Sequence, residues 1–184
     1  MVAGPSGVGK GTVLAQLRER EPGLWFSVSA TTREMRPGEI DGVDYRFLSR
    51  DDFVAQRDDG RFLEWFDVYG DLKGTPRQPV EEHLAAGDDV LLEVDVQGAL
   101  RVREEMPDAV LVFLDAPTPE AQAERLRARG VDAPDQIDRR LAEADIEKAV
   151  AERFDEVVVN DDADRAARQL AAILAARRHR GATD

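Results

Sequence analysis

No cysteine occurs anywhere in the chain's 184 residues, so disulfides, thiolate metal sites and thiol nucleophiles are excluded. Histidine is scarce too: His83 and His179 are the two examples, both fall outside every motif, and both read as surface residues. Long apolar runs are missing. Nothing has the hydrophobic stretch of a signal peptide, or the roughly 18 consecutive apolar residues of a membrane span. Positive charge is in deficit, with 25 Lys and Arg against 38 Asp and Glu and a formal charge of −13. That balance removes the electrostatic basis for general affinity to nucleic acid or anionic membranes, so an anionic ligand must be met by a local cluster of arginines. Lysine is confined to Lys10, Lys73 and Lys148. What these absences leave is a soluble cytoplasmic protein of one domain, large enough for one good core and for inserted subdomains.

Against that background Lys10 stands out. The stretch Gly4-Pro5-Ser6-Gly7-Val8-Gly9-Lys10-Gly11-Thr12 contains the pattern G-x-x-x-x-G-K. Glycines there let backbone N–H groups turn inward around phosphate oxygens while the lysine reaches the outer phosphates. Met1-Val2-Ala3 before it suits the end of a strand, and Thr12 to Leu17 after it has helical spacing. A helix N-terminus adds further N–H groups and partial positive charge. One position departs from the pattern: the Ser or Thr that normally follows the lysine and meets Mg²⁺ is Gly11, and the hydroxyl arrives one residue later at Thr12. Mg²⁺ commonly keeps several waters, so a water-mediated contact can replace the direct one. Three residues are few for a central strand, which suggests an upstream start or a missing segment and a short first strand.

Further along, Trp25 to Ser29 suits a short strand. From Ala30 to Pro79 the chain is polar and turn-rich, and reads as an inserted subdomain. Within it Val43, Tyr45 and Phe47 alternate like a strand, Ser49 to Asp58 suits a capped helix, and Phe62 to Phe66 is a second apolar patch. A helix is predicted from Pro79 to Ala86, stopped by Gly87. Val90 to Asp95 and Ala109 to Leu114 read as buried parallel strands, with a helix from Gln97 to Glu105 between them. Thr118-Pro119-Glu120 supplies an N-cap, an N1 proline and a first-turn acid for a helix reaching Arg129. A second Arg-bearing helix runs from about Gln136 towards Arg153. Glu156 to Asn160 is the last strand and Asp164 to Arg178 the last helix, with Ala166, Leu170, Ile173 and Leu174 on one face. The tail from Arg177 to Asp184 is polar and expected to fray. Strands alternating with helices imply an open, mostly parallel α/β sheet with its ligand at the strands' carboxyl ends.

Ser29-Ala30-Thr31-Thr32-Arg33-Glu34-Met35-Arg36-Pro37-Gly38-Glu39, followed by Gly42-Val43-Asp44-Tyr45, completes a pattern begun by the loop. Here the chain resembles the guanylate kinases, with S-x-T-T-R-x-x-R-x-G-E and then G-x-D-Y. The resemblance continues through Phe62-Leu63-Glu64-Trp65, Gly74-Thr75, Asp95-Val96-Gln97-Gly98, Arg125-Leu126, Arg129-Gly130, Arg140-Leu141 and Val159-Asn160-Asp161-Asp162. It implies an α/β P-loop kinase with a five-stranded, mostly parallel sheet flanked by helices, an inserted GMP-binding subdomain and a helical lid. Residues 1–29, 80–117 and 146–184 would be core, 30–79 the GMP-binding subdomain and 118–145 the lid. The implied activity is transfer of the γ-phosphoryl group of ATP to GMP, giving ADP and GDP with Mg²⁺, in purine nucleotide metabolism. dGMP is expected to serve as well, since no motif residue is assigned to the sugar.

By that resemblance, Gly4 to Thr12 and Asn160 bind ATP, with Asn160 near adenine. Arg33, Arg36 and Tyr45 hold the GMP phosphate, and Ser29, Glu64, Thr75 and Asp95 read guanine. Lys10 and Arg33, with the lid residues Arg125, Arg129 and Arg140, surround the transferring group, and Thr12 and Asp95 meet the metal through water. Lys73 stands where the family carries a tyrosine; a lysine there can approach the GMP phosphate as a point charge. The chemistry agrees with this division of labour. A phosphate acceptor is already nucleophilic, so alignment and charge neutralisation dominate, and arginine forks grip phosphate oxygens in two places. Guanine presents adjacent N1–H and N2–H₂ donors that a carboxylate such as Glu64 accepts, whereas adenine leaves that carboxylate unpaired. Partners are thus ATP and GMP, without nucleic acid or membrane, on a monomer or homodimer. Two other readings stay open at this level: a P-loop kinase for a different phosphate-bearing acceptor, and a non-catalytic module of the same fold that binds protein ligands. Arg139 reads equally as a solvated surface charge.

Overall fold

The structure, a computed structural model, describes residues 1–68, 70–128 and 134–181, leaving out the side chains of 134, 135 and 179–181. In chain order its strands and helices are β1 (Val2–Ala3), α1 (Lys10–Arg20), β2 (Trp25–Phe26), β3 (Ala30–Thr31), β4 (Arg46–Phe47) and α2 (Arg50–Asp58). Then come β5 (Phe62–Val68), β6 (Asp71–Pro76), α3 (Arg77–Ala85), β7 (Val90–Leu91), α4 (Val96–Glu105) and β8 (Val112–Asp115). The chain ends with α5 (Pro119–Ala128), α6 (Pro134–Lys148), β9 (Glu156–Val159) and α7 (Ala163–Gly181). Two compact units contain them, one of Val2–Pro22 with Val110–Asp184 and one of Gly23–Ala109 with Met1.

The unit carrying the glycine-rich loop is built on three parallel strands in the order β1-β8-β9. Val2 lies opposite Val112, Ala3 opposite Phe113, and Asp115 opposite Val159. Val2, Ala3, Val112, Phe113 and Leu114 are all buried, the unbroken apolar pattern of parallel strands covered on both faces. β9 is the edge and alternates instead, with Val158 buried and Val157 and Val159 exposed. Helix α1 buries Val13, Leu14 and Leu17 and packs along α7, which buries Ala166, Ala167 and Leu170. Ion pairs Arg20–Asp164 and Arg178–Glu21 tie the same helices together at the surface. α7 continues in helical form through Gly181, past the point at which fraying is expected from the polar tail.

The other unit holds a two-stranded parallel ladder, β2 with β7, and a four-stranded sheet in the order β4-β3-β6-β5. The five strands predicted for the core are thus all present and parallel, in ladders of three and two. In the four-stranded sheet, Phe53 of α2 stacks on Phe62 of β5 with ring centroids 4.4 Å apart, and Ala30 and Leu72 close the cluster. The Ser49 hydroxyl caps α2 by accepting from Asp52 N–H at 3.1 Å, as the sequence predicts.

Other elements differ from the sequence reading: α6 stops at Lys148 instead of running towards Arg153, and β2 and β7 are shortened to Trp25–Phe26 and Val90–Leu91. β6 is unexpected, because Asp, Gly and Pro weaken its strand propensity; Gly74 is required there, since a Cβ would sit 2.8 Å from the Glu64 carbonyl oxygen. The alternation Val43-Tyr45-Phe47 yields a strand of Arg46–Phe47 alone. Upstream of it the Asp44 carboxylate accepts from Ile40 N–H and the Asp41 carboxylate from Phe47 N–H, both at 2.8 Å. Such side-chain bonds compete with a ladder. α3 starts at Arg77, so Pro79 occupies a first-turn position where no intrahelical N–H bond is lost.

Candidate active site

The loop between β1 and α1 is held from outside by a set of donors. Gly9 caps α1 at φ 88° without a side-chain cap bond, so the first N–H groups of the helix are left for an anion. An alanine there would be strained, and its Cβ would lie 2.5 Å from Asn160 Nδ2. Lys10 Nζ donates to the carbonyls of Gly4 and, at 3.2 Å, Pro5, spanning its own loop. Arg125 donates to Val8 O at 3.0 Å and to Asn160 O at 2.8 Å, while Asn160 Nδ2 donates to Val8 O at 2.7 Å. Arg140 donates to the Ser6 hydroxyl at 2.9 Å. Asn160 is buried, and its Oδ1 has no partner among the described residues. Lys10, Arg125, Arg140 and Asn160 are therefore gathered around one loop; Arg129 lies outside the described residues.

The other unit brings together the residues expected to read a base. Register places Glu64 of β5 directly opposite Thr75 of β6. The Thr75 hydroxyl donates to Glu64 Oε1 at 2.5 Å, and Oε2 has no partner among the described residues although the residue is 2% exposed. Asp95 caps α4 by accepting from Gly98 N–H. A Cβ on Gly98 would meet both Asp95 Oδ1 and Glu64 Oε2 at 2.9 Å, so a glycine is what lets the two acids crowd one helix start. Burial, reinforced by the Asp95 charge and opposed by the Thr75 bond and Lys73, pushes the Glu64 carboxyl up to about 7. Ser29 is buried in the same sheet region, its carbonyl accepting from Arg46 N–H at 2.9 Å.

A basic cluster lies in this unit too. The Arg33 guanidinium and the Lys73 ammonium lie 5.3 and 5.4 Å from the centre of the Tyr45 ring, within cation–π range. Arg33 forks onto Glu39 at 2.7 and 3.0 Å. Arg36 joins through its backbone N–H, which donates to Glu39 at 2.7 Å, while its side chain is exposed. Hydrogen bonds from Arg33 and the Arg36 backbone hold the Glu39 carboxyl down at about 2. In the sequence Glu39 reads as the end of a motif and of a turn, without a site role; the signal available was an acid six residues from an arginine across a Pro-Gly turn. It passed over Gln122 entirely. That residue is 1% exposed in α5 and donates to Ser6 O at 2.7 Å, and the available signal was a polar residue four positions from Leu126 on a buried face. His83, expected at the surface, is partly exposed, stacks on Trp25 at 4.1 Å and bonds Asp88 at 2.7 Å.

A lone hydroxyl or carboxylate suits a cation carried mainly by phosphates and water. Thr12 is exposed on the first turn of α1, and Asp95 offers a partly exposed carboxylate with one oxygen given to the α4 cap. Among the described residues no three acidic or histidine side chains converge as a protein cage.

A glycine loop leading from a parallel strand into an uncapped helix, with a lysine across it and arginines around it, defines an α/β P-loop kinase. A sequence model of the guanylate kinase family matches residues 1–177. The chain is 56% identical over 161 residues to the guanylate kinase of Gloeobacter violaceus, covering 88% of this chain and 78% of that one. It is 52% identical over 176 residues to that of Nocardia farcinica, covering 95% and 91%. The crystal structure of guanylate kinase from Anaplasma phagocytophilum superposes with a TM-score of 0.77 at 33% identity, over 96% of this chain and 83% of that one. A shikimate kinase from Acinetobacter baumannii shares the fold alone, at TM-score 0.51 and 15% identity. The chain belongs to the guanylate kinase family.

Proposed function

We propose that this chain transfers the γ-phosphoryl group of ATP to GMP, and to dGMP, in the cytoplasmic recycling of purine nucleotides. The observation that carries the acceptor is Glu64: a buried carboxylate with one oxygen bonded to Thr75 and the other without a partner among the described residues. Guanine's N1–H and N2–H₂ supply the missing donors, and Asp95 and Ser29 lie among the same elements. Adenine, with an unprotonated N1, leaves that oxygen unpaired. A site built around a specific hydrogen bond rejects an analogue lacking it by roughly 10⁴ or more.

Arg33, Arg36, Tyr45 and Lys73 hold the GMP phosphate, Lys73 as a point charge in place of a phenol. The Gly4-to-Thr12 loop binds the ATP phosphates, with Asn160 near adenine and its unpartnered Oδ1 available as an acceptor. Lys10, Arg33, Arg125, Arg129 and Arg140 offset charge on the transferring group, and no general base is needed because the GMP phosphate oxygen is already nucleophilic. Thr12 and Asp95, through water, would hold Mg²⁺, which neutralises polyphosphate charge when bound. Residues 30–79 then act as the GMP-binding subdomain, 118–145 as the lid and the remainder as core. An assay of ADP release with GMP, dGMP, AMP, CMP and UMP, with and without Mg²⁺, tests this. GMP and dGMP are expected to dominate and to need the metal; AMP or CMP outpacing GMP would overturn the acceptor.

A further inference from the structure

We infer that Gln122 is a positioning residue for ATP, setting the direction of one loop N–H through a single, partly buried hydrogen bond. Gln122 lies on the face of α5 that also carries Leu126, and the two are 1% and 0% exposed. An amide on such a face is costly unless bonded, and its Nε2 donates to Ser6 O at 2.7 Å. The Ser6–Gly7 peptide is trans, as are all those described, and a planar trans peptide points its C=O and N–H in opposite directions. Fixing the Ser6 oxygen towards α5 therefore turns the Gly7 N–H away from α5.

The loop lies close against this helix, leaving no room for a side chain at Gly7. Gly7 has φ 85°, and a Cβ on it would stand 2.8 Å from Leu126 Cγ and 3.1 Å from Gln122 O. The next anchored peptide, Val8–Gly9, is held through Val8 O by Arg125 and Asn160 together. The Ser6 carbonyl takes its bond from Gln122 alone among the described residues, while the Ser6 hydroxyl is the acceptor for Arg140. Loss of the amide thus frees one peptide without touching the others. A rotated Ser6–Gly7 peptide would offer phosphate an oxygen instead of an N–H, which weakens ATP and leaves GMP recognition alone.

This inference rests on the phosphoryl-transfer reading, which wild-type activity with ATP and GMP tests separately. Gln122→Met keeps the length of the side chain but removes the donor, and Gln122→Leu is the second variant. For either, KM for ATP is expected to rise about five- to tenfold, the size of one neutral hydrogen bond. KM for GMP should stay within about twofold, and calorimetric ADP affinity should fall in step with ATP. An unchanged KM for ATP in a folded variant, or equal rises for both substrates, overturns the assignment. So does failure of both variants to fold, which would make the amide purely structural.

Discussion

Glu64 is the residue whose chemistry is least like that of its free side chain. With the carboxyl raised from 4.5 to about 7, the folded protein keeps a proton between those values that the unfolded chain has released. Proton linkage then makes stability fall as pH rises through that window, by at most about 3 kcal/mol. Urea denaturation at pH 5 and pH 8 should show this decline in the wild type and a flatter profile in Glu64→Gln. Parallel profiles for the two proteins would contradict the assignment. Glu39 has the opposite sign, since its contribution is present above the usual carboxylate range and lost as pH falls towards about 2. Both residues stand in recognisable motifs. Their partners, Thr75 and Arg33, are legible from the sequence only as further motif members, because pairing depends on strand register and on a turn.

Among the elements, the two helix starts Gly9 and Ser49 make a useful contrast. Ser49 satisfies an orphan N–H of α2 with its own hydroxyl, and Ser49→Ala should cost about 1 kcal/mol with little effect on ATP use. Gly9 leaves the N–H groups of α1 open and occupies a left-handed backbone. Gly9→Ala adds strain of about 1 kcal/mol or more and drives a Cβ against Asn160, so it should lower stability and raise KM for ATP together. Thermal melts and initial rates on the two variants distinguish these outcomes. Helices with a capping residue or a clear apolar face were legible to within a few residues. The strand β6 was not, since Gly74 and Pro76 argue locally against a strand and only its neighbours β3 and β5 make it one.

For the whole molecule, the residues proposed to hold the ATP phosphates and those proposed to read guanine belong to different compact units, and substitutions should separate accordingly. Lys10→Ala should abolish transfer while leaving the fold and GMP affinity intact, whereas Glu64→Ala should raise KM for GMP far more than KM for ATP. Equal losses for the two nucleotides in Glu64→Ala would count against it as the base reader. The sequence by itself determined the phosphate loop, the family, the alternation of strands and helices, and the arginine-rich supply of positive charge in an acidic chain. All of these are written in residue types at short spacings. Only the tertiary structure decided that Glu64 faces Thr75, that Glu39 holds Arg33, and that Gln122 reaches back to Ser6 across 116 positions. A side chain's identity is local, but its hydrogen-bond partner is chosen by packing and register between segments far apart in the chain.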